Sequence, residues 1–150
     1  LWHCGTGITE GGFVGAFIRI PESTNLAFHA LVELAKNEGS LTNIGDIAKS
    51  LRASEAHLSK VLQAMRRAGF VEASRGPTGG YSLKRAADEI SLLEVHEALQ
   101  GRQESYECLL KSPVCQRQCC ALGKFAKRLD DEFRLFLSET TLGVFMSLSR

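Results

Sequence analysis

The sequence predicts a mainly α-helical protein with one small β-hairpin, arranged as a winged helix-turn-helix followed by a long C-terminal helix. Three observations carry that prediction: two amphipathic stretches about three residues apart, a glycine-rich turn between two short alternating segments directly after them, and a long apolar repeat near the C-terminus. A chain of 150 residues suffices for one main core, and 44% apolar with 23% charged residues is the make-up of a soluble globular protein. No apolar run approaches the ~20 residues needed to span a bilayer, so no membrane role is expected.

Residues 1–17, "LWHCGTGITEGGFVGAF", lack helical or strand periodicity and have neither the basic start nor the long apolar run of a signal peptide. They are read as a flexible N-terminal extension. From Ser23, "STNLAFHALVELAKNEG" places Leu26, Ala30, Leu31 and Leu34 on one helical face and closes on Gly39. In "TNIGDIAKSL", Thr42 or Asn43 can cap a short helix burying Ile44, Ile47, Ala48 and Leu51. After Arg52 and Ala53, Ser54 can cap "EAHLSKVLQAMRRAG", whose stripe is Leu58, Val61, Leu62 and Met65 and whose stop is Gly69.

That pair alone fits any helical bundle; the next sixteen residues give it meaning. "FVEAS" (70–74) and "YSLKR" (81–85) read as strands joined by "RGPTGG", with Tyr81 and Leu83 pointing inward. A hairpin behind a helix-turn-helix, with Arg75 at its tip, is a wing. "ISLLEVHEALQG" (90–101) is a further helix with Ser91 as cap and Gly101 as stop. Last, "ALGKFAKRLDDEFRLFLSETTLGVFMSL" repeats apolar residues at 122, 125, 129, 133 and 136, the pattern of one long helix. Such a helix at the edge of a small domain calls for a twin from a second subunit, so a homodimer is expected.

Charge is unevenly distributed. Residues 1–48 carry net −3, residues 49–85 carry eight bases and two acids, net +6, and residues 86–150 carry net −2. One segment thus holds the positive field, as a polyanion-binding surface does. On the helix face opposite the apolar stripe lie Glu55, His57, Ser59, Lys60 and Gln63, with the donors and acceptors that base edges and phosphates require. Ser54 at the start of that helix, with Arg75 and Gly76 in the wing, completes the candidate DNA-contacting set. Arg66 and Arg67 fall at the far end and read as a solvated face.

Four of the five cysteines fall in "CLLKSPVCQRQCC" (108–120). In the cytoplasmic chain expected here, such a cluster binds metal or does redox chemistry rather than building a disulfide framework. Adjacent Cys119 and Cys120 would point different ways, leaving one of them as a ligand. An iron–sulfur site, a zinc site, a thiol–disulfide switch and plain apolar packing all remain open.

"RGPTGGYSLKR" followed by "ISLLEVHEALQG" closely resembles the Rrf-two family of bacterial winged-helix transcription regulators, with its IscR, NsrR and CymR groups. "LAFHALVELA", "LSKVLQAMRRAGFV" and "FLSETTLGVF" fall in the family's order and spacing, so the resemblance runs from about Ile18 to the C-terminus. It implies a dimeric, sequence-specific regulator binding a double-stranded DNA operator, often in response to iron–sulfur status, nitric oxide, redox state or cysteine metabolism. Family contacts carried over by position fall on His57, Ser59, Lys60 and Arg75. Some members have an acid where this chain has Ser59.

The resemblance also implies a ligand set for an iron–sulfur cluster, 2Fe-2S or 4Fe-4S: Cys108, Cys115 and Cys120, in a six-and-four spacing where five-and-five is commoner. Where some members supply a His after the third Cys, this chain has Gly123. His29 on the first helix lies where other members recruit a fourth ligand. The expected organisation is an N-terminal extension (1–17), a DNA-binding winged helix (18–101), a cysteine sensor loop (102–120) and dimerisation helices (121–150).

No nucleophile with base and orienter, no phosphate loop with its lysine and no paired catalytic carboxylates stand in a defined context, so an enzyme is not expected. The competing readings are a thiol-redox or metabolite-responsive regulator without a cluster, and a winged-helix protein-interaction module.

Overall fold

A computed structural model of the chain describes residues 20–76, 79–102 and 121–148. The helix expected from Ser23 starts one residue earlier, as α1 (Glu22–Lys36), with the Pro21 carbonyl accepting the Thr24 and Asn25 N–H groups at 3.0 Å. It buries Ala27, Phe28, Ala30, Leu31, Val32 and Leu34, while Leu26 packs at the core's edge.

The next helix, α2 (Ile44–Leu51), is capped by Asn43, whose side chain accepts the Gly45 N–H at 2.8 Å. Thr42, the other candidate cap, is engaged with the wing instead. A turn of Arg52, Ala53 and Ser54 leads to α3 (Glu55–Arg67), which buries Leu58, Val61, Leu62 and Met65, the stripe read from the sequence. Ser54 occupies the N-cap position, but its side chain makes no capping hydrogen bond, contrary to expectation. Gly69, at φ 84°, then reverses the chain in the left-handed region that favours glycine.

The wing is narrower than the apolar alternation suggests. Strand β1 (Val71–Ser74) pairs antiparallel with β2 (Gly80–Leu83) in the register Val71↔Leu83 and Ala73↔Tyr81. Phe70 goes to the core, and its carbonyl accepts the Lys84 N–H at 2.9 Å. Thr42 supplies a third extended edge: it exchanges both backbone hydrogen bonds with Tyr81, each 2.9 Å long. That bridge ties the start of the helix-turn-helix to the wing.

A single 3-10 turn at Ala87–Glu89 precedes α4 (Leu92–Gln100). Ser91 and Glu94 form a reciprocal capping box: the Glu94 N–H donates to Ser91 Oγ at 3.2 Å, and the Ser91 N–H donates to Glu94 Oε2 at 2.9 Å. Burial alone would raise the Glu94 pKa, but hydrogen bonds from the Ser91 N–H, Arg85 and Ser91 Oγ outweigh it and hold the carboxyl below its ordinary value. At the other end of α4, Gln100 Nε2 donates to the buried Thr24 Oγ1 at 2.9 Å, fastening α4 to α1.

The C-terminal stretch is two helices, α5 (Ala121–Glu139) and α6 (Leu142–Leu148), where the apolar repeat suggests one long helix. The break has a long-range cause. The Thr140 carbonyl accepts the Leu92 N–H and the Leu142 N–H donates to the Ile90 carbonyl, both at 2.9 Å, so Thr140 and Thr141 run as extended chain beside Ser91. Helix α1 is the central element, packed against α2, α3, α4, α6 and β2.

Helix α4 meets α5 through His96, whose ring stands edge-on to Phe133 with centroids 6.2 Å apart. Its Nδ1 is buried with no hydrogen-bond partner among the described residues. Burial pushes the His96 pKa below 6.5; Glu97 and Asp130 oppose that shift, while Arg134, itself bonded to Glu97 at 2.7 Å, adds to it. The imidazole is therefore neutral in the fold. Stability linked to His96 is fully present above the unfolded value of 6.5 and is lost as pH falls through the lower folded value. We expect the thermal midpoint to fall from pH about 7 to about 5.5 more steeply for the wild type than for His96→Leu. Parallel pH profiles in calorimetry would refute this.

Candidate nucleic-acid interface

Helix α3 projects from a buried apolar floor. Because Leu58, Val61, Leu62 and Met65 fix one side, the helical repeat turns Glu55, Lys60 and Gln63 outward and leaves His57 and Ser59 half-buried at the edge. Gln63 Nε2 donates to Ser59 Oγ at 3.2 Å, so two of the candidate base-reading side chains hold each other. Glu55 is exposed and leans toward the first turn of α2: a methyl group on Gly45 would lie 3.4 Å from its Oε1. Ser54 is exposed at the head of α3, and Arg75 and Gly76 are exposed where the chain leaves β1, Gly76 at φ 122°.

The basic segment is poor in ion pairs. Of its eight bases, only Arg85 has a carboxylate partner among the described residues, Glu94 at 3.0 Å. Elsewhere Lys36 pairs with Glu33 at 2.7 Å, Lys127 with Asp131 at 2.9 Å, and Arg134 with Glu97 at 2.7 Å. The positive field over α2, α3 and the wing is thus largely uncompensated.

Sequence reasoning missed a cleft of about 520 Å³ between the start of α1 and the turn between α2 and α3. Its lining includes Glu22, Asn25, His29, Arg52, Ser54 and His57. The His57 Nδ1 lies 3.8 Å from Glu22 Oε1. His29 is exposed on the same wall, its ring 5.7 Å from that of Phe145. The candidate fourth ligand and a candidate DNA-reading side chain, 28 positions apart in the chain, therefore line one cleft. No sequence signal marks this, because helical phase says which face a residue is on and not which distant face it meets.

Cys108, Cys115 and Cys120, with Cys119, Pro77 and Thr78, lie outside the described residues. Among the described residues no group of three or more His, Cys, Asp or Glu is placed to hold a metal ion, so His29 would have to be joined by donors from elsewhere. No helix among them is long and apolar enough to cross a membrane.

Comparison with known proteins agrees with this fold. The family model "Rrf2: Iron-dependent Transcriptional regulator", the Rrf-two family of the sequence resemblance, matches residues 20–147. The chain is 38% identical over 91 residues to protein aau3 of Rhizobium meliloti, covering 61% of this chain and 59% of that one. It is 33% identical over 106 residues to the HTH-type transcriptional regulator NsrR of Bacillus licheniformis, covering 65% of this chain and 74% of the relative. Over the first curated relatives the match spans only 50% to 59% of their length. Among solved structures, CymR, the global cysteine regulator of B. subtilis, superposes with TM-score 0.74 at 27% identity, covering 87% of this chain and 98% of that one.

Proposed function

The chain belongs to the Rrf2 family of iron-dependent transcriptional regulators, and from that premise we propose that it binds double-stranded operator DNA as a homodimer and reports iron–sulfur, nitric oxide or redox status through its cysteine stretch. The observation that carries the DNA-binding part is the set of unpaired cations over α2, α3 and the wing. Seated in a major groove, α3 would offer His57, Ser59, Lys60 and Gln63 to base edges and phosphates, while Arg75 and Gly76 follow the flanking groove. Glu55, leaning on α2, would orient the helix start rather than reach far into the groove. In this reading residues 18–101 bind DNA, 102–120 sense and 121–150 dimerise, in the cytoplasm.

The sensing part rests on donor chemistry. Three soft thiolates from Cys108, Cys115 and Cys120 with the imidazole of His29 form a set suited to an iron–sulfur cluster, 2Fe-2S or 4Fe-4S, which when bound supplies an oxidisable and nitrosylatable link. The chain's own contribution is the placement of His29 on the wall that also carries His57 and Ser54. Holding or releasing His29 would thereby bias how α1 sits against the head of α3, and operator affinity would follow the difference between the two arrangements. A thiol switch without a cluster is the second reading, favoured by the extra cysteine Cys119 next to Cys120.

The test is anaerobic purification with iron and acid-labile sulfide analysis and a visible spectrum, followed by anisotropy titration of labelled duplexes at several salt concentrations. We expect coloured protein with both elements near stoichiometric, and duplex binding whose logarithm falls steeply with log salt. Protein that stays colourless after reconstitution would leave the thiol switch. Absence of salt-dependent duplex binding in every state would overturn the regulator reading in favour of a protein-interaction module.

A further inference from the structure

We propose that Arg52 clamps a DNA backbone phosphate at the turn between α2 and α3, a contact additional to the recognition-helix and wing residues. The inference deepens the DNA-binding reading and rests on it.

Arg52 is the only non-glycine residue with positive φ among the described residues, at φ 51° and ψ 38°. This is the left-handed conformation that glycine enters freely and that a side chain enters only against steric resistance. The turn itself does not need an arginine. What it uses is the backbone: the Arg52 N–H closes α2 onto the Ala48 and Lys49 carbonyls, and the Ala53 N–H donates to the Ala48 carbonyl at 2.9 Å. Glycine would supply the same bonds without the strain. A strained position held by a long cation points to a task for the side chain.

The surroundings say what the task is. Arg52 is exposed and has no ion pair or side-chain hydrogen bond among the described residues, although the carboxylate of Glu22 lines the same cleft. The Glu22 Oε1 lies 3.8 Å from His57 Nδ1 and makes no ion pair with Arg52. Arg52 therefore stands uncompensated in a cleft whose lining also includes Ser54, at the head of α3, and His57. A planar fork of donors sharing a cleft with a hydroxyl and an imidazole suits a phosphate oxygen. The position adjoins the one element read as entering the groove, so the phosphate within reach is that of the strand alongside α3.

The experiment compares wild type, Arg52→Gly and Arg52→Lys, each titrated with a random-sequence duplex and with a duplex selected from a random pool by the wild-type protein. Arg52→Gly deletes the charge and keeps a residue suited to the turn, so its thermal midpoint should be unchanged or raised. Its affinity should fall about three- to tenfold for both duplexes alike. The slope of log K against log salt should shrink by about 0.9 per lost phosphate contact, hence by about 2 for a dimer. Arg52→Lys should retain most of the affinity and slope. Unchanged affinity and slope in Arg52→Gly, or a loss confined to the selected duplex, overturns the phosphate clamp while leaving DNA binding intact. A wild type that binds neither duplex overturns the DNA-binding reading itself and the clamp with it.

Discussion

Replacing Phe125 and Phe136 together with Glu is expected to leave a folded monomer and to weaken binding to a two-half-site duplex by about 10²- to 10³-fold. Leu122, Phe125, Leu135 and Phe136 on α5 and Val144 and Leu148 on α6 are exposed, at 67%, 52%, 56%, 53%, 45% and 69% respectively. So many exposed large apolar side chains on consecutive helices are what an interface would cover. Under the proposed function, two-fold recognition of an operator would make a second copy of the chain the covering partner. Burying two aromatic rings contributes several kcal/mol to such a contact, and two carboxylates in their place would have to be desolvated. Neither ring belongs to the core, so the circular dichroism spectrum should be unchanged. Sedimentation and anisotropy provide the check. A double variant that still sediments as a dimer would show that the subunits meet elsewhere.

Gly80→Ala should cost about 2 kcal/mol or more and detach the wing without melting the helices. A Cβ at this position would lie 2.6 Å from the Thr42 carbonyl oxygen, 2.8 Å from its carbon and 3.1 Å from its nitrogen. All three are backbone atoms, so no side chain can swing aside. Thr42 and Tyr81 would have to part, which breaks the two 2.9 Å hydrogen bonds that fix the wing to the approach of α2. The thermal midpoint should drop by roughly 5–10 °C. Affinity for every duplex should fall with it, because Arg75 and Gly76 are carried by that hairpin. Amide exchange is the sharper readout: early exchange at Thr42 and Tyr81 with α1 still protected is the expected pattern, and unchanged protection at both would refute the steric conflict. At Ala27 or Ala30, where alanine already packs in the core, no such backbone conflict exists.

The elements of this fold were legible because their signals are local. Asn43, Ser91 and Gly101 act within a few residues of themselves, and the stripes on α1, α3 and α4 are fixed by helical phase over one or two turns. The match of Leu58, Val61, Leu62 and Met65 between expectation and structure has that origin. Ser54 shows the limit: a residue type suited to capping stands at the cap position, yet its hydroxyl makes no capping bond.

Where two distant segments decide, the sequence alone falls short. The apolar repeat at 122, 125, 129, 133 and 136 establishes an apolar helix, but only packing divides it: Phe133 turns to the core and His96, while Leu122, Phe125 and Phe136 face outward. The single long helix breaks at Thr140 because the Ile90 and Leu92 backbones claim its carbonyl and the Leu142 N–H, partners some 50 residues away. The cleft joining His29, Arg52 and His57 likewise exists only once α1 crosses the head of α3. Thus the sequence by itself determined the helix-turn-helix, the wing, the concentration of positive charge and the family. The tertiary structure alone decided which apolar side chains stay exposed, which cations are left uncompensated and which residues share a cleft. The physical reason is that hydrogen-bond capping and helical phase act over a few residues, whereas pairing, burial and ion compensation depend on surfaces that folding brings together.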